Sequence, residues 1–152
     1  MEERFRTFTT QIAKVSRLVR KIKSEEMSEF DLKSGHVSCL YYLYKQNALT
    51  SKQLCDICKE DKASISRSMD YLTKEAYVYC KAQSGKRYRC PFYLTEKGKE
   101  VGAHIVEKID RILSQTNEGL TDEQLRDFYR ALAMISNNLE KICGSYDDND
   151  KD

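Results

Sequence analysis

The sequence predicts a mainly α-helical chain with one small β-hairpin, and three observations lead there. Apolar residues recur every three or four positions near both ends, two closely spaced helix starts with capping residues lie in the middle, and strict alternation begins near residue 78. A length of 152 residues suits one domain that buries roughly two thirds of its unfolded surface without metal or disulfide support. With 33% charged and 40% hydrophobic residues, the composition is that of a chain with much solvated helix surface. No apolar run approaches the ~18 residues of a spanning helix, and the acids in MEERFRTFTT do not fit a secretory signal. The chain is therefore expected in the cytoplasm, with no membrane partner and its six cysteines reduced.

Phe5, Phe8, Ile12, Val15, Val19 and Ile22 form one seam along a first long helix whose opposite face is basic. Ser34 to Gln46 carries Val37, Leu40, Tyr41 and Tyr44 on one face, and Asn47 stops it. Leu49, Thr50, Gln53 and Leu54 supply a capping box and a hydrophobic staple for a short helix ending at Cys58. Asp61 then caps another helix through Glu75, with Ile65, Met69 and Leu72 as its buried stripe. Val78, Cys80 and Ala82 alternate on one arm of a hairpin, QSGK turns the chain, and Tyr88, Cys90, Phe92 and Leu94 alternate on the other. Pro91 inside the second arm predicts an edge strand. A further helix runs from about Thr95 to Ser114, with Val101, Ile105, Ile109, Ile112 and Leu113 inward. A last helix, capped by Thr121 and Gln124, repeats the seam at Leu125, Phe128, Leu132, Ile135, Leu139 and Ile142. Two helices joined by a tight turn and followed at once by a basic-tipped hairpin make a winged helix-turn-helix. The terminal seams leave more apolar surface than one small core covers, which predicts an obligate homodimer.

Net charge is only +2, but residues 50–98 carry ten basic against six acidic side chains while 99–152 carry seven against twelve. The basic middle permits a nucleic-acid partner without demanding one. On the Asp61 helix a 100° step places Ala63 and Arg67 opposite Ile65, flanked by Ser64, Ser66, Asp70 and Tyr71. A small polar face fits a major groove about 12 Å wide, where hydroxyls and one guanidinium reach base edges. Lys62 and the first-turn amides suit phosphate. In the hairpin tip Lys86, Arg87 and Arg89 suit a duplex, with Arg87 placed for the minor groove and the other two for phosphate. The DNA contacts read from the sequence are thus Lys62, Ala63, Ser64, Ser66, Arg67, Lys86, Arg87 and Arg89.

LTSKQLCDIC, DKASISRSMDYL, the wing SGKRYR and the closing LTEKG resemble bacterial MarR-type winged-helix regulators over nearly the whole chain. The resemblance implies a homodimer on a pseudo-palindromic double-stranded operator, with recognition helices in successive major grooves and wings in flanking minor grooves. It also implies repression until an effector binds. Residues 1–145 would form one such unit: 1–30 and 115–145 as dimerisation helices, 34–98 as the winged helix-turn-helix and 95–114 as the connecting helix, with 146–152 a disordered acidic tail. One departure is Lys86, which stands where many members carry an acid bracing the wing arginine. The alternatives are a winged-helix protein-interaction module that never touches DNA, and a thiol-based redox-sensing regulator.

No GxSxG, P-loop, GxGxxG or HExxH occurs, so no catalytic residues and no cofactor are expected. His104 with Glu107 could face a metal, but Lys108 at the adjoining position argues against a site, and none is assigned. The resemblance places an effector pocket at His36, Leu40, Tyr44 and His104. Cys55 and Cys58 share CxxC spacing without a second CxxC for zinc or a βαβ pattern for a thioredoxin-like site. Packing is one reading of them. The other makes Cys55, with Lys52 three residues before it, the reactive member of a redox pair.

Overall fold

The computed structural model describes residues 2–81 and 89–149. In chain order these form α1 (Glu2–Phe5), a π-helical stretch (Arg6–Gln11), α2 (Ile12–Glu26), a 3-10 turn (Ser28–Phe30), α3 (Ser34–Gln46), β1 (Ala48–Leu49), α4 (Ser51–Cys58), α5 (Lys62–Lys74), β2 (Val78–Cys80), β3 (Phe92–Leu94), α6 (Glu96–Thr116) and α7 (Asp122–Asn149). The fold is mainly helical with a small antiparallel wing. None of the described helices is long and apolar enough to cross a membrane. The backbone divides into two compact units, Met1–Asp110 and Arg111–Asp152, with the boundary inside α6.

In the first unit the core is built from α3, α4, α5, the sheet and the first half of α6. Leu40, Leu43, Leu54, Leu72 and Ile105 are fully buried, and Ile65, Met69, Val78 and Val101 surround them. At about 1.5–3 kcal/mol per buried aliphatic side chain, this cluster is what holds the helix-turn-helix closed. The staple residues Leu49 and Leu54 both belong to it. Asn47 ends α3 at φ 66°, a backbone region that asparagine tolerates better than most residues. Lys59 ends α4 at φ 54° and ψ 43°, and its N–H bonds to Cys55 O, so the chain turns sharply from α4 into α5.

The sheet departs from the sequence reading in two ways. Its strand order is β1-β3-β2, with Ala48 opposite Tyr93 and Tyr79 opposite Tyr93 on the other side, so β3 is central and not an edge. Pro91 is tolerated because it precedes Phe92, the first residue of β3, and has no ladder bond to lose. Cys80 and Cys90 are also paired across the two arms, with Cα atoms 6.3 Å apart, where six reduced thiols were expected. Alternation puts both side chains on one face of a twisted ribbon, which brings them within bonding reach.

In the second unit Thr121 N–H bonds to Gln124 Oε1 at 2.9 Å and Gln124 N–H to Thr121 Oγ1 at 3.2 Å, the reciprocal box that starts α7. The backbone of α7 stays helical to Asn149, three residues beyond Tyr146, where the acidic tail was expected to begin. Continuing an existing helix adds one backbone bond per residue, so acidic residues follow without a new nucleus.

Candidate nucleic-acid interface

The α5 helix starts with Asp61 as N-cap. Ser64 N–H donates to Asp61 Oδ1 at 2.7 Å, and Ser64 Oγ to Asp61 Oδ2 at 3.3 Å. Those bonds, the backbone one first, hold the Asp61 carboxyl below the usual carboxylate range, and Arg67 adds to the effect. Arg67 Nη2 donates to Ser64 Oγ at 3.2 Å, so cap, serine and guanidinium form one chain of contacts along the exposed face. Lys62, Ala63, Ser66 and Arg67 are exposed, and Ser64 is half-buried. The opposite stripe is Ile65, Ser68, Met69 and Leu72, all buried. A rigid helix thus carries a narrow polar strip with one guanidinium aimed by its own first turn.

Of the wing contacts, Arg89 is exposed just before Cys90, whereas Lys86 and Arg87 lie outside the described residues. Where the wing returns to α6, LTEKG has a physical account. Thr95 Oγ1 donates to Ala76 O at 2.6 Å and accepts from Gly98 N–H at 3.0 Å. Lys97 Nζ bonds to Glu75 O at 2.7 Å and sits 4.1 Å over the Tyr77 ring. The motif ties the start of α6 to the end of α5, fixing the strand β2 that leads into the wing.

The four residues expected to line an effector pocket do not share one cavity among those described. His36 lines a cavity of about 850 Å³ between α2, the start of α3, and α5. Leu40 is core, Tyr44 lines a separate cleft with Tyr79 and Tyr93, and His104 is exposed with its ring 6.0 Å from Phe30. His36 and Tyr44 stand eight residues apart along α3, about 12 Å. His36 stacks on Tyr71 at 4.2 Å and 5°, and its Nδ1 accepts from Lys33 N–H at 3.1 Å. Burial first, then Lys33, lowers its pKa, so the ring stays neutral.

The cavity takes its charge from Arg67, already read from the sequence as a functional residue, and from Arg20, Lys23 and Lys33, which were missed, against Asp31 and Glu60. The basic face opposite the first apolar seam was the signal for Arg20 and Lys23. Cys58 reaches the same cavity, and the cysteine reading changes with it. Burial, then Asp56, raises the Cys55 pKa, whereas a hydrogen bond from the Cys39 thiol lowers that of Cys58, with Lys23 assisting. These directions favour the thiolate at Cys58 over that at Cys55. Burial and the acidic neighbours Asp56 and Asp61 disfavour the Cys55 thiolate.

Comparison with solved structures gives the fold a name. The chain is similar to a MarR family regulator from Neisseria meningitidis at 18% identity, covering 93% of this chain and 97% of the other, with TM-score 0.79. It is similar to a putative MarR family transcriptional regulator from Listeria monocytogenes complexed with a 26mer DNA at 22% identity, covering 85% and 86%, with TM-score 0.76. Staphylococcus aureus MarR in complex with salicylate and kanamycin matches at 13% identity over 90% and 92%, with TM-score 0.75. No protein-family model and no curated protein matches the chain. The fold is that of the MarR regulators.

Proposed function

We propose that the chain is a sequence-specific double-stranded DNA-binding transcription regulator, a homodimeric repressor released by a small anionic effector. The observation that carries this reading is the outer face of α5: Arg67, braced by Ser64 and Asp61 on a strip otherwise made of Ala63 and Ser66. Such a strip enters a major groove without bulk and presents a fixed fork to guanine O6 and N7. Lys62 and the first-turn amides hold the phosphate beside it. Lys86, Arg87 and Arg89 supply the wing's cations to the flanking minor groove and backbone. That the Listeria neighbour is complexed with a 26mer DNA supports DNA as the partner.

The effector site is the His36 cavity. Its four cationic side chains favour an anion, and Arg67 and Ser64 of the reading face belong to its wall, so an occupant there competes for the groups that aim Arg67. That the Staphylococcus neighbour is in complex with salicylate and kanamycin supports a small-molecule effector.

Footprinting on the DNA flanking its own coding region locates the operator, and anisotropy titrations on that duplex test the mechanism. Affinity falls steeply between about 50 and 200 mM salt as counterions are released. Arg67→Ala costs about 1–3 kcal/mol and relaxes base choice, while Arg87→Ala lowers the salt slope. Affinity flat in salt and untouched by either change overturns the assignment.

A further inference from the structure

We infer that the cleft between the end of α3, the outer face of the wing strands and the start of α6 is a second small-molecule site, taking a zwitterionic aromatic ligand of the free aromatic amino-acid class. The cleft measures about 750 Å³, and among the described residues it shares no lining side chain with the His36 cavity. Its occupant is therefore distinct from the effector proposed above, and the site stands whether or not α5 reads DNA. The floor is aromatic. Tyr79 and Tyr93 are partners in register across β2 and β3, and strand alternation turns Val78, Phe92 and Leu94 into the core while the two rings stay outside. Their centroids lie 5.6 Å apart with 25° between the planes, so together they offer one nearly flat platform. Tyr44 makes the side wall. Gly102 of α6 leaves room for its stem, since a Cβ there would come within 3.1 Å of Tyr44 Cβ and Cγ. Tyr79 is 40% exposed and Tyr44 37%, so these ring faces are open to a ligand and not spent on the core.

The rim carries charge of both signs. Lys99 and Glu100 line it from successive positions of α6, and Asn47, which ends α3, adds an amide that both donates and accepts. Lys99 Nζ donates to Glu96 Oε1 at 2.9 Å, a bond that raises the pKa of the ammonium, with Tyr79 contributing. On the floor, Lys81 Nζ sits 5.1 Å from the centre of the Tyr93 ring. Two cations thus stand against two carboxylates, whereas in the His36 cavity four cations stand against two. A purely anionic ring meets Glu96 and Glu100, and a purely cationic one meets Lys81 and Lys99. A ring that carries an ammonium and a carboxylate close together satisfies both signs. Its face lies on the tyrosine platform, its ammonium turns to Glu100 and its carboxylate to Lys99.

The chain contains no tryptophan, so free L-tryptophan serves as probe and reporter, its own fluorescence anisotropy rising as full-length protein is titrated in. Tryptamine and indole-3-propionate keep the ring and lack the carboxylate and the ammonium respectively. L-tryptophan binds about three- to fivefold more tightly than either, the size expected of one partly exposed ion pair. Alanine, which has both charges and no ring, does not compete at about 10 mM. Tyr79→Ala removes half of the platform and weakens binding about tenfold. Glu100→Gln brings tryptophan to the affinity of indole-3-propionate, and Lys99→Gln to that of tryptamine. Arg20→Gln, in the wall of the other cavity, leaves tryptophan binding unchanged, and helical circular dichroism checks the fold of each variant. Either analogue binding as tightly as tryptophan, loss of tryptophan binding in Arg20→Gln, or no rise in anisotropy up to about 1 mM protein overturns the inference. The comparison of the three ligands on the wild-type chain decides it even if a variant fails to fold.

Discussion

His36 ties stability to pH through the atoms its ring touches. Nδ1 accepts the Lys33 N–H and the ring lies flat on Tyr71, so only the neutral imidazole fits both contacts. Burial and Lys33 depress the pKa, with Asp31 opposing, and Arg20 and Arg67 add positive charge to the same cavity. The folded pKa is below the unfolded one, so between the two the unfolded chain binds more protons. The stability His36 contributes is therefore present above about pH 6.5 and is lost as pH falls through the folded value. Urea midpoints should drop from about pH 7 to pH 5.5, and His36→Asn, which keeps an acceptor but does not titrate, should flatten that drop. Identical pH profiles for wild type and variant would remove His36 from this role. The family resemblance joined His36 to Leu40, Tyr44 and His104 in one pocket, and a family likeness carries the general place of a cleft without saying which side chains of this chain line it.

The elements that were legible are those whose signals are local. Thr50 with Gln53, Asp61 with Ser64 and Thr121 with Gln124 each form bonds spanning three residues, so a short motif fixes each helix start. The strand β1 was not, since two residues show no alternation and their partner lies beyond residue 90. That omission also misplaced Pro91 on an edge. LTEKG was recognised as a pattern, and its glycine now has a cause: a Cβ at Gly98 would stand 2.0 Å from Tyr77 O, a backbone atom that cannot move without breaking the Thr95 lock. A Cβ at Gly102 would meet Tyr44 Cδ2 at 2.7 Å and its Cβ and Cγ at 3.1 Å, so the half-open ring must turn and its stem give by a few tenths of an ångström, a milder adjustment than moving a backbone carbonyl. Gly98→Ala should cost about 2–3 kcal/mol of stability by overpacking, while at Gly102 the gain in helix propensity of about 1 kcal/mol offsets most of the clash. Chemical denaturation of the two variants measures this, and equal losses would sink the account of the motif.

At the scale of the whole molecule two apolar seams lie exposed on the single chain. Phe5, Phe8, Ile12, Val15, Val19 and Ile22 on the first helical segment are all exposed, Phe5 at 70%. On α7, Phe128, Leu132, Leu139 and Ile142 are exposed and Ile135 is half-buried. Soluble monomers do not leave contiguous apolar stripes of this length in water. In the homodimer proposed above a second copy would cover such a stripe, since a two-fold axis presents the same seam to itself, and it would set two α5 helices on successive major grooves roughly 34 Å apart. Replacing Leu132 and Ile135 together by glutamate places four like charges at such an interface and should shift the sedimentation mass from twice 17.7 kDa to 17.7 kDa. Retained helical circular dichroism would show that the monomer is folded, and binding to a palindrome should fall to that of a single half-site. A variant that stays dimeric would move the interface away from the α7 seam, and a wild-type chain that sediments as a monomer would refute the dimer itself.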